Sequence, residues 1–190
     1  MNQHQRNIEI EFRAMFGSEK YEELEKFLND NAKDLGEDDK DVYFFMFPDK
    51  LLKVVNNVSK RNAKFVLKLN KIGRGSDFEE IEVPISQKDF EKTADIFTNL
   101  KMGDSMHSFQ KRHNYLYKGV ELALKWSEIW KYHLELEIVV NDPIDKTKAE
   151  NKIFAVAKEL GVKTMTDSEL KAFTENAEAE YKKNQKNAKN

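Results

Sequence analysis

Two segments near the ends of the chain constrain the fold most. Residues 7–16 set Ile8, Ile10 and Phe12 against Glu9, Glu11 and Arg13, and residues 132–140 set Leu134, Leu136 and Ile138 against Glu135 and Glu137. A period of two sends successive side chains to opposite faces of a strand, so each segment reads as a strand with one apolar and one charged face. Like charges at i and i+2 lie roughly 7 Å apart along a strand. If the first and last strands are neighbours, four carboxylates converge. Such a cluster is unfavourable unless a cation compensates it or some of the acids take up protons. Oxygen-only ligation of this kind suits Mg²⁺ or Mn²⁺.

Between these segments the same alternation predicts strands over residues 41–47, 51–58, 64–71, 78–85, 106–117 and 120–126, which brings the count to about eight. Pro48-Asp49, residues 59–62, the loop Gly73-Arg74-Gly75-Ser76-Asp77 and Lys118-Gly119 punctuate them as turns. Four helices are predicted. Ser18 can cap the first, which carries Tyr21, Leu24, Phe27 and Leu28 at helical spacing to about residue 33 and is followed by Gly36. The second opens at Ser86 and Asp89 and stops at Gly103; the third spans about 145–160; the fourth begins at the capping box Thr166-x-x-Glu169 and runs to about 183. No Gly/Pro/Ser-rich linker divides the chain. Residues 1–183 therefore read as one domain, with a disordered Lys/Asn tail over 184–190. A helix followed by strands occurs twice, which suits an α+β fold of two half-sheets closing on each other.

Charged residues are 35% of the chain, well above the roughly 25% of an average domain, yet Lys+Arg 32 and Asp+Glu 34 leave a net charge of −2. A near-neutral total argues against a general binder of double-stranded nucleic acid, whose affinity needs a basic field. No apolar run reaches membrane-span length and the first six residues are too polar for a signal peptide, so a soluble, cytoplasmic protein is expected. The chain has no cysteine, which excludes a disulfide scaffold, a thiolate metal site and a cysteine nucleophile.

The excess charge is sorted by strand. Lys53, Lys64, Lys68, Lys111, Arg112 and Lys125 lie in or near the intervening alternating runs, Arg13 follows the first acidic pair, and Glu80 and Glu82 form a third. Basic rows facing acidic rows across a closed barrel would fit a metal–polyphosphate complex, acids on the cation and Lys/Arg on phosphate oxygens. Salt bridging on a solvated sheet face is the alternative, at about 0–1 kcal/mol per pair. Amphipathic helices able to cover an apolar outer face favour the polar interior. His4, His107, His113 and His133 show no paired ligand spacing, and Trp126 and Trp130 are expected to pack the barrel edge. Gly73-Arg74-Gly75 lacks the Lys-Ser/Thr of a P-loop and reads as a hairpin tip from which Arg74 could reach a substrate.

The opening strand Glu9-Ile10-Glu11-Phe12-Arg13 resembles the Glu-x-Glu-x-Lys signature of the CYTH domain, the triphosphate tunnel metalloenzymes that include class IV adenylate cyclases and thiamine triphosphatases. Later landmarks follow in order: Asp41-Val42-Tyr43-Phe44, Pro48-Asp49, the strand at 64–71, Glu79-Glu80-Ile81-Glu82, Lys111-Arg112, and His133-Leu134-Glu135-Leu136-Glu137. The resemblance implies an eight-stranded antiparallel β-barrel, a tunnel with helices packed outside, binding a nucleoside, thiamine or inorganic triphosphate with Mg²⁺ or Mn²⁺. It implies Glu9, Glu11, Glu135 and Glu137 as metal ligands, and Arg13, Lys53, Lys68, Arg112 and Lys125 as phosphate contacts. Glu11, Arg112 and Lys125 are its catalytic candidates. Triphosphate hydrolysis is the expected reaction. Conversion of ATP to cyclic AMP and pyrophosphate is the alternative within the same pocket, noncatalytic nucleotide or polyphosphate binding the alternative outside enzymology, and a homodimer, common in the family, is an assembly the resemblance allows. The chain departs from the pattern in four places. Arg13 stands for the usual Lys, Gln110 stands two before Arg112 where a Lys is common, and Val55 leaves one basic position empty after Lys53. Lys125 stands ten before Glu135, where an Asp is common, which would remove a ligand or base, shift catalysis to a carboxylate such as Glu128, or mark a binder without turnover.

Overall fold

A computed structural model describes residues 8–69, 77–78, 80–101 and 103–187 of the 190. In chain order the elements are β1 (Ile8–Met15), α1 (Ser18–Asn31), β2 (Lys33–Glu37), β3 (Lys40–Met46), β4 (Leu51–Asn57), β5 (Asn62–Lys68), β6 (Asp77–Phe78), β7 (Glu80–Ile85), α2 (Phe90–Asn99), β8 (Asp104–Tyr117), β9 (Val120–Ser127), β10 (Lys131–Val140), α3 (Lys146–Glu159) and α4 (Asp167–Asn187). The Gly73-Arg74-Gly75 loop and Glu79 lie outside the described residues.

The strands form one antiparallel sheet in the order β6-β1-β10-β9-β8-β3-β4-β5-β7, with β2 paired to β8 off this path. The run 77–85 touches both ends of the sheet: β6 pairs with β1 through Glu9↔Phe78 and Ile10↔Asp77, and β7 pairs with β5 from Ala63↔Ile85 to Lys68↔Glu80. The sheet therefore curls into a tunnel of eight staves. The first and last long strands are neighbours, with Glu11 opposite Glu137 and Arg13 opposite Glu135.

The apolar core is on the outside of this curl. Ile10 of β1, Leu122 and Leu124 of β9, and Leu134 and Leu136 of β10 pack with Leu24 and Leu28 of α1 and Ile153 of α3. A second cluster seats Phe90 and Phe97 of α2 on Phe45, Leu52, Val54 and Ala63. Because side chains alternate, every residue committed to these outer clusters commits its neighbours to the interior, and the helices are what make a polar interior affordable. Among the described residues no helix is long and apolar enough to cross a membrane.

Four local features differ from the sequence reading. Lys33–Glu37 is a strand, β2, held by pairing with β8 and bulged between Asp34 and Gly36. Gly36, at φ +87°, serves that irregularity and does not end α1, which stops at Asn31. Ser18 is the first residue of α1 and Gly17 its cap, without a side-chain bond. The α4 helix continues to Asn187, past residue 183.

Candidate functional site

Interior-facing positions from the staves enclose a cavity of about 460 Å³. Glu9, Glu11, Arg13, Lys53, Lys68, Arg112, Lys125, Glu135 and Glu137 all line it. Lys111, one residue from Arg112, is exposed and does not. The cavity's acids fall into separate groups, which the i, i+2 spacing alone could not show.

Glu9, Glu11 and Glu137 form the first group: each offers a carboxylate oxygen within 4.8 Å of the others. Burial, with help from Glu80 and Glu11, raises the proton affinity of Glu9 above that of an ordinary glutamate, although Lys68 opposes it. Burial and the charges of Glu9 and Glu11 push Glu137 up to about 8. Three converging hard oxygens whose mutual repulsion raises proton affinity are a donor set that fits a divalent cation of the Mg²⁺ or Mn²⁺ type. Glu11 Oε1, beside the Arg13 guanidinium, lacks a hydrogen bond of proper geometry.

Glu135 stands apart from this trio although it shares its strand face. Its Oε1 accepts from Arg13 Nε at 3.1 Å and from Lys125 Nζ at 3.0 Å, and its Oε2 from Arg112 Nη1 at 3.3 Å. Burial raises its proton affinity, but Lys125, Arg13 and Arg112 together hold it well below the carboxylate range. Lys125 is only 5% exposed. Burial, with Arg112 and Arg13 nearby, pushes it down to about 8 against the attraction of Glu135. The register explains the split: Glu135 lies opposite Arg13 on β1, whereas Glu137 lies between Glu11 on β1 and Glu121 on β9.

The basic side chains are also sorted. Lys68 bonds Glu80 at 2.6 Å and sits 3.7 and 3.8 Å from Glu9 and Glu11. Its burial disfavours the charge, yet Glu11, Glu80 and Glu9 raise its pKa above that of an ordinary lysine. Lys64 pairs with Glu82. Lys53, on the neighbouring stave, has no carboxylate within ion-pair distance among the described residues. Burial and the positive charge of Lys68 push it down to about 7, Glu80 opposing and Lys40 adding to the effect.

One group was missed in the sequence. Asp38 is 3% exposed and holds Lys40 at 3.0 Å, Lys60 at 3.0 Å, Arg112 Nε at 3.2 Å and Asn57 Nδ2 at 2.6 Å. Burial would raise it, but Lys40 and the bonds from Lys40, Asn57 and Lys60 hold it well below the carboxylate range. The run Asp38-Asp39-Lys40-Asp41 just before a strand was the available signal. Trp130 also lines the cavity, under the Arg13 guanidinium at 5.4 Å and edge-on to Phe173 of α4 at 5.1 Å. His107 and His113 pair with Asp41 and Asp34 and are not among the cavity's lining residues, whereas His133 is buried beside Trp130.

A curled antiparallel sheet with helices outside and a charged cavity within is the architecture of a tunnel protein, and the family comparison agrees. The CYTH domain model matches residues 7–170. The chain belongs to the CYTH domain family. Among solved structures, a conserved hypothetical protein of Pyrococcus furiosus is 25% identical with a TM-score of 0.65, over 82% of this chain and 91% of that one. A Pyrococcus horikoshii protein is 24% identical with a TM-score of 0.66, over 85% and 99%. An adenylyl cyclase candidate of Hippeastrum, described as revealing a dominant triphosphatase activity, is 16% identical with a TM-score of 0.55, over 83% and 89%. No curated protein matches the chain.

Proposed function

We propose that the protein is a divalent-metal-dependent triphosphatase that binds its substrate inside the tunnel. The observation that carries this reading is the adjacency of the Glu9/Glu11/Glu137 trio to Lys68, with Lys53 on the next stave. A cation held by Glu9, Glu11 and Glu137 would neutralise phosphate oxygens and polarise the phosphoryl group. The rest is work for the chain's own side chains. Lys53 and Lys68 meet the phosphate oxygens nearest the trio, and Arg13 and Arg112 extend the cationic wall toward Glu135. Planar guanidiniums there can hold two oxygens at once, where lysines act as point donors. Hydrolysis needs a group that orients water at the terminal phosphorus, and Glu11, buried between Arg13 and Lys68, is the side chain we assign to it. The family membership and the Hippeastrum relative's triphosphatase activity support the same reading.

Lys125 favours a second reading. By taking up Glu135 it leaves Glu9, Glu11 and Glu137 as the converging acid cluster among the described residues, in place of a wider ligand set, which suits metal-dependent binding of a nucleotide or polyphosphate without turnover. Incubation with ATP, thiamine triphosphate or tripolyphosphate and Mg²⁺ or Mn²⁺ separates the readings. Orthophosphate release supports the triphosphatase, cyclic AMP with pyrophosphate indicates cyclisation, and metal-dependent binding without product points to the binder. Absence of both turnover and metal-dependent binding rejects the reading altogether.

A further inference from the structure

One part of the cavity wall is not charged. Phe44 and Met46 of β3, Leu51 of β4 and Met106 of β8 all line it. Val42, Val55 and Val66 line it as well, but are buried and packed on one another and against Phe44. Phe44 and Met46 instead stay partly open to the cavity. The register fixes their place. Phe44 lies directly opposite Lys53 on one side and Met106 on the other, and Met46 lies opposite Leu51, which itself faces Lys68. Directly opposed side chains on antiparallel strands start about 5 Å apart. The cationic wall and the apolar wall are therefore contiguous.

We propose that this apolar wall holds the organic group of a triphosphate ester whose phosphates lie against Lys53 and Lys68; the proposal rests on the triphosphate reading above and names its substrate class. An inorganic triphosphate has nothing to set against Phe44, Met46, Leu51 and Met106, and its charges would lose hydration beside them without compensation. A ring attached to the phosphate chain removes that surface from water. About 55 Å² of apolar surface so removed corresponds to a tenfold gain in affinity. The thioethers are polarisable and adaptable against ring edges. The wall reads bulk and flatness with no fixed donor or acceptor pattern, so it separates organic from inorganic triphosphates strongly and one ring from another weakly.

The test is calorimetric binding, with Mg²⁺, of the non-hydrolysable β,γ-imido analogue of ATP and of inorganic diimidotriphosphate. The wild-type protein should bind the nucleotide analogue at least tenfold more tightly. Phe44→Ala and the milder Phe44→Leu should both narrow that gap while leaving the inorganic anion within about twofold, with circular dichroism confirming the fold of each variant. Equal wild-type affinities, or equal losses for both anions in the variants, overturn the assignment while leaving the triphosphate reading intact. Binding of neither anion overturns that reading and this inference with it.

Discussion

Glu135 and Glu137 are two residues apart on one strand face, and the difference between them is the main residue-scale lesson. Alternation made both inward-facing and acidic, and that much was legible in the sequence. What was not legible is the register of β1, which sets Arg13 against Glu135 and Glu11 against Glu137. Glu135 is thereby the shared anion of three cations, of which Arg13 and Lys125 are buried and Arg112 is partly so. Removing it should cost more than removing any one of them, because uncompensated buried charge is what makes a broken buried pair expensive. Glu135→Gln should lower stability by roughly 3 kcal/mol in urea denaturation, eased by Lys125, whose pKa of about 8 lets it shed its proton. Lys125→Met leaves Glu135 with both arginines and should cost about 1 kcal/mol or less. The reverse order of the two losses would mean that Glu135 is not the charge hub. Asp38 teaches the same point from another side: its partners Lys40, Lys60, Asn57, Arg112 and Asn114 come from four segments, so only the closed sheet assembles them.

At the scale of elements, strands with an apolar–charged alternation were readable and the strand without one was not. Lys33-Asp34-Leu35-Gly36-Glu37 has no periodic apolar face, and β2 exists because β8 is long enough to offer it hydrogen-bond partners. The start of α4 was readable for a local reason. Thr166 N–H donates to Glu169 Oε2 at 2.8 Å, and Glu169 N–H donates back to Thr166 Oγ1 at 3.2 Å, the reciprocal bonds of a capping box. Its course was not readable, since the helix crosses the cavity on long-range contacts: Thr174 and Ala177 line it, and Tyr181 Oη accepts from the His107 backbone N–H at 3.1 Å. Thr166→Ala should cost about 1 kcal/mol and speed amide exchange in the first turn of α4 before it affects the sheet. Uniform loss of protection across β1 and β10 would show instead that α4 and the tunnel unfold as one unit.

The whole molecule is a sheet turned inside out relative to an ordinary barrel core, apolar against its outer helices and largely ionic within, and its stability should carry the mark of that interior in two opposed pH responses. Burial, with the nearby Lys125 charge, pushes His133 down to about 3. The unfolded chain therefore binds this proton first as pH falls, and stability should drop by about 1.4 kcal/mol per pH unit between roughly pH 6.5 and 3. His133→Asn should flatten that limb in denaturation curves taken at several pH values. Glu137 has the opposite sign. With its pKa raised to about 8, it keeps a proton in the folded state that the unfolded chain releases near the ordinary 4.5. The metal-free protein should therefore lose stability as pH rises from about 4.5 to 8. A bound cation reverses this limb by favouring the ionised trio, and at a hundredfold excess over Kd it stabilises the fold by about 2.7 kcal/mol. For a chain of this length that is a rise of roughly 5–10 °C in Tm. Glu137→Gln mimics the protonated side chain, so at pH 7.5 without metal it should melt at or above the wild-type temperature. On addition of Mg²⁺ or Mn²⁺ only the wild type should shift. A shift of equal size in the variant would remove Glu137 from the cation site, and no shift in either protein would remove the site itself.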